Sequence, residues 1–438
     1  MNYSVVKRSF SSIKKIINNI PGDKSVSHRA IIIGSISENN SIFENFLTAD
    51  DCLNTVSIFQ DLGVCIKVDG TRVEVFGVGL NGLKPFDGVL DVGNSGTGIR
   101  LITGLLAGQS FESKITGDSS IQKRPMMRVV VPLTEMGADI SGLSGKKEGE
   151  VYPPLTIRPV GDLKAIEYKL PVASAQVKSC VLFASLFNNE KTVVIEPKKC
   201  RDHTEKMLAK FGADITVDGS MVCCSGKNKL KNPGDEAIYI PADISSAAFF
   251  IVLVCVLKGA EVCFSKIGLN STRAAIIDVL KEMGADIEIK NIIDAKYEPY
   301  GDIVVRSSDM KNINVSEGVI PFIIDEIPVL AIAGLFSQGK MIVRNAKELR
   351  VKESDRIVAI VEMVKAFGGN IVEYEDGFEL EGCSVFKNFK LNSFGDHRIA
   401  MSAIVGAYAA GVEAEIESCD CINTSFPSFF NILDSVVD

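Results

Sequence analysis

The sequence has no tryptophan, only three histidines, and no C-x-x-C pair among its 11 cysteines. The absence of paired cysteines argues against a zinc site and favours reduced, mostly buried thiols, as in cytosolic proteins. Positive charge is also scarce: 47 Lys and Arg face 55 Asp and Glu, which argues against a broad nucleic-acid or anionic-membrane surface. The longest apolar run, 247–257, is too short to cross a bilayer. We therefore expect no metal, no nucleic acid and no membrane among the partners.

The length and the 46% hydrophobic content predict two or more domains with large buried cores. The first 22 residues carry Lys7, Arg8, Lys14 and Lys15 and no acidic residue, which superficially resembles a transit peptide. This segment lacks an apolar stretch, however, and "IKKIINNI" (13–20) alternates like a strand. We expect it to belong to the fold and the protein to be cytoplasmic.

Glycines recur at nearly regular intervals, each after an amphipathic helical pattern and before an alternating strand pattern. The series is Gly63, Gly137, Gly212, Gly284 and Gly368. Glycine suits this place because it readily adopts the left-handed conformation that ends many helices. The sequence therefore predicts repeated helix–strand units.

Six largely apolar segments run out of phase with these glycines. They are counted from Lys24, Asn94, Ser174, Asp243, Asp325 and Asp396. Each has Asp, Asn or Ser at its start and then almost no polar face, which predicts a helix buried on all sides. A repeat of about 73 residues, with one buried helix, one amphipathic helix and several strands, gives six units, or three per domain.

The starts of these helices gather cations, hydroxyls and carboxylates, as in "PGDKSVSHRA" (21–30), where we expect His28 to be structural. If equivalent helices in a domain point the same way, their N-terminal amides converge on one cleft and form an anion site without net basic charge. Taken singly, the motifs also fit ordinary helix caps and solvated charges. "GNSGTG" (93–98) matches neither a dinucleotide site nor a P-loop, so we expect neither NAD nor ATP.

Eight ordered motifs, from position 21 to position 401, resemble the signature blocks of the EPSP synthase family. They are "PGDKSVSHRA", "DVGNSGTGIRL", "KRPMMR", "SAQVKS", "RDHTEKML", "IDEIPVLA", "LRVKESDRI" and "GDHRIAM". The resemblance implies an α/β fold of two lobes, each with three repeated βαβαββ-type units, buried parallel helices inside and sheets outside, known as an inside-out α/β barrel. One lobe would comprise 23–240 and the other 1–22 plus 241–438, joined by a two-strand hinge.

The family transfers the enolpyruvyl group of phosphoenolpyruvate to the 5-hydroxyl of shikimate 3-phosphate and releases phosphate, without a metal or cofactor, on the way to chorismate and aromatic amino acids. The resemblance implies that shikimate 3-phosphate is held by Lys24, Ser25, Arg29, Ser174, Ala175, Gln176, Arg201, Asp325 and Lys352. It implies that phosphoenolpyruvate is held by Lys24, Asn94, Gly96, Arg124, Gln176, Arg356 and Arg398. For catalysis it implies Asp325 as the base toward the hydroxyl, Glu353 as the acid and base at the methylene carbon, and Lys24 as a charge stabiliser. A monomer is expected.

Two other functions stay open at this point. A sister enzyme that uses UDP-N-acetylglucosamine shares the fold, but it usually carries a reactive cysteine in the loop occupied here by "SSIQKRPMM" (119–127). A non-enzymatic phosphosugar-binding protein would also use a cationic cleft, although Asp325 and Glu353 beside bound anions disfavour pure binding. Cys200 stands where the family often has a substrate-binding serine, and Arg201 is expected to supply that contact.

Overall fold

The computed structural model describes residues 2–5, 13–145, 148–234, 236–295 and 297–437. The chain divides into two compact units. The first unit comprises Gly22–Ile240 and Lys296–Glu298, and the second unit comprises Met1–Pro21, Pro241–Ala295 and Pro299–Asp438. Lys7 and Arg8 lie outside the described residues, whereas Lys14 and Lys15 lie in a strand of the second unit.

Both units are mixed α/β. The helices are α1 Lys24–Ser35, α2 Asp50–Asp61, α3 Gly96–Leu106, α4 Met127–Glu135, α5 Ala175–Ser185, α6 His203–Lys210, α7 Ile244–Val256, α8 Ala275–Glu282, α9 Ile320–Ile323, α10 Ile327–Phe336, α11 Arg356–Ala366, α12 His397–Ala410 and α13 Phe429–Val437. The strands are β1 Tyr3–Val5, β2 Lys14–Ile17, β3 Ser41–Glu44, β4 Cys65–Asp69, β5 Arg72–Phe76, β6 Leu90–Asp91, β7 Ser113–Thr116, β8 Asp139–Ser144, β9 Val151–Arg158, β10 Glu167–Lys169, β11 Thr192–Ile195, β12 Asp214–Asp218, β13 Met221–Ser225, β14 Ile238–Tyr239, β15 Glu261–Gly268, β16 Asp286–Ile293, β17 Tyr300–Arg306, β18 Lys340–Val343, β19 Ile371–Tyr374, β20 Gly377–Glu381, β21 Phe389–Asn392 and β22 Ala414–Glu417. The first unit contains α1–α6 and β3–β14, and the second unit contains the others.

The sheets of the first unit follow one plan, with a parallel strand pair extended by an antiparallel hairpin. Their strand orders are β14-β3-β5-β4, β6-β7-β9-β8 and β10-β11-β13-β12. The sheets of the second unit are β16-β17-β15-β2, β18-β20-β19 and β1-β22-β21. Along the chain, β6–α3–β7–α4–β8–β9 is a βαβαββ unit, and the elements from β10 to β13 repeat it. The repeat architecture predicted from the glycine and helix series is therefore confirmed.

Two strands lie in sheets of one unit while the helices that follow them belong to the other. Strand β2 pairs in parallel with β15 of the second unit, although the next helix, α1, is in the first unit. Strand β14 pairs in parallel with β3 of the first unit, although the next helix, α7, is in the second unit. Each unit is thus completed by a strand that is remote in sequence from most of its other elements.

The six predicted buried helices are α1, α3, α5, α7, α10 and α12, and the side chains of each are largely buried. Five begin with a side chain that accepts a backbone N–H: Asp23, Ser95, Ser174, Asp243 and Asp396. The fifth helix departs from the prediction, because α10 begins at Ile327 and the side chain of Glu326 makes no capping bond. Arginine and lysine side chains contact Asp325 and Glu326 instead, so these carboxylates do not serve as caps.

The repeated glycines all have positive φ, between 84° and 99°. At the end of α2, the Gly63 N–H donates to the Gln60 carbonyl and the Val64 N–H donates to the Phe59 carbonyl, both at 2.9 Å. This is the Schellman motif, and the same pair of bonds ends α4, α6, α8 and α11. The left-handed conformation explains why glycine occupies the position each time.

The apolar run 247–257 forms most of α7, which has 13 residues and is buried in the core of the second unit. In the part of the chain that the structure describes, no helix is both long enough and apolar enough to cross a bilayer. The same residues contain no group of three or more His, Cys, Asp or Glu side chains arranged to hold a metal ion.

Candidate active site

The predicted site residues fall into one group in each unit. The first-unit cluster is Lys24, Ser25, Arg29, Asn94, Gly96, Arg124, Ser174, Ala175, Gln176 and Arg201. The second-unit cluster is Asp325, Lys352, Glu353, Arg356 and Arg398. Most members of both groups lie at or near the first turn of a helix, where backbone N–H groups have no partner within the helix.

Lys24 is the first residue of α1, where the positive end of the helix dipole disfavours a cation. Its Nζ lies 2.6 Å from Oδ2 of Asp51 on α2. One turn later, the buried His28 ring places Nδ1 2.7 Å from Thr55 Oγ1 and Nε2 3.1 Å from Ser95 Oγ. Burial lowers the pKa of His28 to about 3, so the imidazole is neutral at pH 7. His28 therefore joins α1 to α2 and to the start of α3, which is a structural role.

Arg29 is buried among α1, α5 and α6. Its Nε donates to Thr204 Oγ1 at 2.6 Å, its Nη2 to Ser179 Oγ at 3.0 Å, and its Nη1 to the Ser25 carbonyl at 2.8 Å. Burial lowers the pKa of Arg29 to about 10, although the nearby carboxylate of Glu205 acts in the opposite direction. The guanidinium stays charged at neutral pH and forms a fixed positive charge in the first-unit cluster.

Gly96 opens α3 and lies against two guanidinium groups. A Cβ atom added at Gly96 would lie 2.6 Å from Arg124 Nη1 and 3.0 Å from Arg100 Nη1. Arg100 Nη1 also donates to the Gly96 carbonyl at 2.8 Å. Two arginine forks beside the N-terminal amides of a helix are suited to a carboxylate or phosphate. The structure therefore brings Gly96 and Arg124 together, as predicted from the motifs "GNSGTG" and "KRPMMR".

We expect Gly96→Ala to raise about 10- to 100-fold the KM of an anionic substrate bound at this helix start, because the new methyl group would displace Arg124 by a sizeable fraction of an ångström. Steady-state kinetics, with any second substrate at a saturating concentration, measure this change. Gly161→Ala is the matched control, since a Cβ there meets no atom within 4 Å. An unchanged KM in Gly96→Ala, with the same value in the control, would contradict the role given to this contact.

The start of α5 supplies three further members of the first-unit cluster. Ser174 caps the helix by accepting the Val177 N–H at 3.4 Å, and Ala175 and Gln176 form the first turn. Gln176 Nε2 donates to Thr97 Oγ1 at 3.4 Å, so side chains from α5 and α3 are in direct contact. Near the start of α3, Asn94 Nδ2 also donates to Asp118 Oδ2 at 2.6 Å.

A buried ionic group lies two residues further along α5. Lys178 Nζ lies 2.9 Å from Glu196 Oε1 and also contacts Glu205 Oε1 on α6, and the Lys178 side chain is fully buried. Cys200 donates to Glu196 Oε1 through its N–H at 3.0 Å and its Sγ at 2.6 Å. Burial raises the pKa of Glu205 and of Cys200, and Lys178 only partly offsets this for both. Cys200 therefore belongs to a structural group, and this group fixes the segment that leads to Arg201.

Lys178→Met is expected to destabilise the protein by about 3–5 kcal/mol, because the substitution leaves two buried carboxylates without their ammonium group. Thermal unfolding should show a fall of about 10 °C in Tm. Lys206→Met is the matched control, since Lys206 forms a partly exposed ion pair with Asp202 at 3.5 Å. The control should change stability by less than about 1 kcal/mol. Equal losses of stability in both variants would show that the buried ionic group contributes no more to stability than an exposed ion pair.

In the second unit, Asp325 lies between cations. Its Oδ1 lies 3.2 Å from Lys352 Nζ and 3.3 Å from Arg356 Nη1. Arg356 is buried, and it also contacts Glu353 Oε2 at 2.5 Å and Asp396 Oδ2 at 2.8 Å. Burial opposes the charge of Arg356, but Asp396, Glu353 and Asp325 outweigh burial and raise its pKa. Arg356 therefore stays cationic and orients both carboxylates that the sequence predicts for proton transfer.

Arg398 joins this cluster from the first turn of α12. Its Nη1 donates to the Asp325 carbonyl at 2.8 Å and lies 3.6 Å from Glu326 Oε1. Its N–H donates to the helix cap Asp396 at 2.9 Å. Burial acts to raise the pKa of Asp396, but the contact with Arg356 outweighs it and the pKa is lowered. The structure thus brings all five members of the second-unit cluster together.

Sequence reasoning missed two charged residues that contact these clusters. Asp51 pairs with Lys24, and Arg273 Nη1 lies 3.8 Å from Asp325 Oδ2. Asp51 is the second residue of α2, and Arg273 follows the small polar run "NST" before α8. A charged residue in the first turn of a helix that packs into a core, or just before that turn, is the signal that would have found them.

A family model described as EPSP synthase (3-phosphoshikimate 1-carboxyvinyltransferase) matches residues 8–433. The chain belongs to the EPSP synthase family. A curated 3-phosphoshikimate 1-carboxyvinyltransferase from Thermoanaerobacter sp. (strain X514) is 45% identical over 435 residues, covering 99% of this chain and 100% of that protein. One from Citrifermentans bemidjiense is 46% identical over 436 residues, covering 100% and 99%. A solved structure of EPSP synthase from Acinetobacter baumannii has a TM-score of 0.88 at 39% identity and covers 100% of this chain and 98% of that chain.

Family membership and the enolpyruvyl transferase fold, both implied by the eight motifs, are thereby confirmed. The protein is an enzyme of the carboxyvinyl transferase class. The relatives named above give no support to the sister enzyme that uses UDP-N-acetylglucosamine or to a non-enzymatic binding protein. The individual residue roles stay predictions.

Proposed function

We propose that the first-unit and second-unit clusters bind shikimate 3-phosphate and phosphoenolpyruvate and carry out the reaction of the EPSP synthase family with the residues predicted from the motifs. That reaction, the function of this protein, transfers the enolpyruvyl group of phosphoenolpyruvate to the 5-hydroxyl of shikimate 3-phosphate and releases phosphate, in the shikimate pathway. The observation that carries the proposal is that Arg356 holds Asp325 and Glu353 together within a group of anion-binding cations. Binding alone does not call for carboxylates next to anions, whereas proton transfer does.

Shikimate 3-phosphate is expected to be held by hydroxyls, cations and one backbone amide. The set is Lys24, Ser25, Arg29, Ser174, Ala175 through its backbone, Gln176, Arg201, Asp325 and Lys352. The guanidinium groups of Arg29 and Arg201 suit the phosphate, since arginine forks bind phosphate oxygens through parallel hydrogen bonds. Asp325 is the only carboxylate of the set, which suits it to accept a hydrogen bond from a substrate hydroxyl.

Phosphoenolpyruvate is expected to be held by residues from both clusters. The set is Lys24, Asn94, Gly96, Arg124, Gln176, Arg356 and Arg398. Arg124 beside the start of α3 gives an arginine fork next to N-terminal backbone amides, which favours a dianionic phosphate. Arg356 and Arg398 offer two further forks near Asp325 and suit the carboxylate.

The chemistry needs a proton at the methylene carbon, removal of the hydroxyl proton, and then loss of a methyl proton as phosphate leaves. We assign the first and last transfers to Glu353, the hydroxyl proton to Asp325, and stabilisation of developing negative charge to Lys24. The hydroxyl oxygen bonds to C2 of phosphoenolpyruvate, and the C2–O bond to phosphate breaks in the second half of the reaction. Holding the two substrates in register can by itself lower the barrier by about 7–11 kcal/mol.

The proposal extends to organisation and location. We propose two lobes, 23–240 and 1–22 plus 241–438, joined by a two-strand hinge, and β2 and β14 support this because each pairs within a unit other than that of the following helix. We also propose that the protein works as a monomer in the cytoplasm, without metal or cofactor. Sedimentation velocity of the purified protein tests the monomer directly.

Phosphate release tests the function. The protein is mixed with phosphoenolpyruvate and shikimate 3-phosphate, and in parallel with phosphoenolpyruvate and UDP-N-acetylglucosamine. Release that requires shikimate 3-phosphate and gives a carboxyvinyl ether product is the expected result. Release with the second pair only would assign the sister activity, and binding without release in both would leave a phosphosugar-binding protein.

A further inference from the structure

Arg273 stands at the centre of a buried ionic group behind the proposed catalytic aspartate. Its Nη2 lies 3.2 Å from Asp243 Oδ1, and its Nη1 lies 3.4 Å from Glu326 Oε1 and 3.8 Å from Asp325 Oδ2. Only 4% of the Arg273 side chain is exposed, so substrates and solvent have little access to it. Asp243 is at the same time the N-terminal cap of α7. Arg273 thus links the start of one buried helix to the two carboxylates before another.

The backbone around Arg273 is held firmly. Asn270 Oδ1 accepts the N–H and the hydroxyl of Thr272, both at 2.9 Å, and the Asn270 carbonyl accepts the Arg273 N–H at 2.8 Å. Asn270 and Thr272 are buried. This buried turn fixes the backbone of Arg273, and the ion pairs with Asp243 and Glu326 then hold the guanidinium.

Glu326 connects Arg273 to neighbouring side chains. Its Oε1 contacts Arg273, Arg398 and the Ser245 hydroxyl. Among the described residues, its Oε2 is buried and makes no hydrogen bond. Asp325 is the adjacent residue, so the contacts of Glu326 restrain the backbone on one side of it. Arg398 donates to the Asp325 carbonyl at 2.8 Å and restrains it further.

We infer that Arg273 is a positioning residue for the reaction, which sets the orientation and the ionised state of Asp325 without touching either substrate. The inference rests on the proposed role of Asp325 as the base toward the substrate hydroxyl. Lys352 and Arg356 face Asp325 Oδ1, whereas Arg273 faces Oδ2. In the proposed function, Lys352 and Arg356 are both assigned to substrate anions. Arg273 is the cation near Asp325 that has no such assignment, so its charge stays available to the carboxylate throughout turnover.

The charges around Asp325 fix the sign of the pH effect. The cations that face its carboxylate are Lys352, Arg356 and Arg273, and Arg398 contacts its carbonyl. The nearest acidic neighbours are Glu326 and Glu353. Loss of a cation raises the pKa of a nearby carboxyl group, because the charged form loses stabilisation. A base must be deprotonated to act, so a higher pKa moves the acidic limb of the pH–rate profile to higher pH.

Kinetics of the full-length protein test the inference with five variants and one control. The variants are Arg273→Lys, Arg273→Gln, Glu326→Gln, Arg273→Gln with Glu326→Gln, and Asp325→Asn. Arg306→Gln is the matched control, because Arg306 is the last residue of β17 in the same unit and makes partly exposed ion pairs with Asp286 and Glu288 of β16. For each protein, kcat, both KM values, the pH profile of kcat/KM and Tm are measured.

Arg273→Gln is expected to lower kcat about 10- to 100-fold, with smaller changes in either KM, since about 1 Å of misplacement costs up to about 100-fold. Its acidic limb should move up by about one pH unit or more. Arg273→Lys should keep the limb of the unchanged protein but lose part of kcat, because it keeps the charge and loses the fork. The control should behave like the unchanged protein.

The double variant separates positioning from stability. Arg273→Gln leaves two buried carboxylates, Asp243 and Glu326, without their arginine, and Glu326→Gln removes one of these charges. The double variant should therefore recover part of the loss in Tm while kcat stays low and the acidic limb stays shifted. Recovery of kcat and of the limb together with Tm would overturn the inference, as would unchanged kcat and limb in Arg273→Gln. Glu326→Gln alone shows how much kcat and the acidic limb change when Glu326 no longer pairs with Arg398. Near-normal turnover in Asp325→Asn would remove the proposed role of Asp325 itself, whereas an inactive Asp325→Asn beside a normal Arg273→Gln would remove only the inference.

Discussion

Lys24→Met is expected to lower kcat about 10³-fold, equivalent to about 4 kcal/mol of transition-state stabilisation. Lys24 occupies the first residue of α1, where a cation works against the helix dipole, so its charge does not serve the helix. Like Gln176, it is expected to contact both substrates, and its Nζ lies 2.6 Å from Asp51 Oδ2. Single-turnover measurement of product formation at saturating substrate concentrations isolates the chemical step from substrate binding.

Two controls keep the Lys24 result interpretable. Lys67→Met removes an exposed lysine of β4 in the same unit, which pairs with Glu74 at 3.8 Å, and it should leave kcat unchanged. Lys24→Met combined with Asp51→Asn removes the carboxylate that the single variant strands, so any loss of fold stability should be recovered there while turnover stays low. A rate within about tenfold of normal in Lys24→Met would contradict the charge-stabilising role.

Glu353→Gln is expected to lower kcat about 10²- to 10⁴-fold, with little change in either KM, because it removes one proton-transfer group and keeps the shape of the side chain. Glu353 Oε2 lies 2.5 Å from Arg356 Nη2, and an amide oxygen can still accept that bond. The most direct measurement is the rate at which solvent deuterium enters the methylene carbon of phosphoenolpyruvate during turnover. That rate should fall together with kcat.

Glu348→Gln provides the matched control for Glu353→Gln, since Glu348 lies in the short helix Lys347–Val351 just before Glu353 and has no assigned role in the reaction. It should keep normal turnover and normal deuterium incorporation. Persistent incorporation in Glu353→Gln at the normal rate would move the acid and base role to another group. His397, at the start of α12, would then be the next residue to replace.

The sequence was most informative where local chemistry and burial agree. The glycine series predicted five helix ends, and each forms a Schellman motif because only a left-handed residue closes that pattern of hydrogen bonds. The buried helices were equally predictable, since α7 and the others have almost no polar face. At α10 the sequence predicted a cap at Asp325, one residue before the observed cap position at Glu326, because the carboxylates of both residues contact cations instead of capping the helix.

Contacts that depend on tertiary structure were beyond sequence reasoning. Nothing near Lys24 in the sequence indicates that Asp51 is its partner, and Arg273 reaches Asp325 from a turn before α8. Motif resemblance supplied the members of each cluster, but it did not supply the ion pairs that hold them, such as Glu196 with Lys178. Periodicity reports which face of an element is buried, whereas the partner across that face depends on how remote segments pack.

Strands β1 and β2 are synthesised well before the strands with which they pair. The partners of β2 are Glu261–Phe264, and those of β1 are Ala414–Ile416, so both N-terminal strands emerge long before the residues they pair with. At about 5–20 residues per second, β2 waits on the order of 10–50 s and β1 longer. During that interval "IKKIINNI" lacks the strand with which it pairs in the folded protein, and its two lysines are expected to disfavour pairing with other chains. The first unit, which is nearly continuous in sequence, can assemble during the same interval.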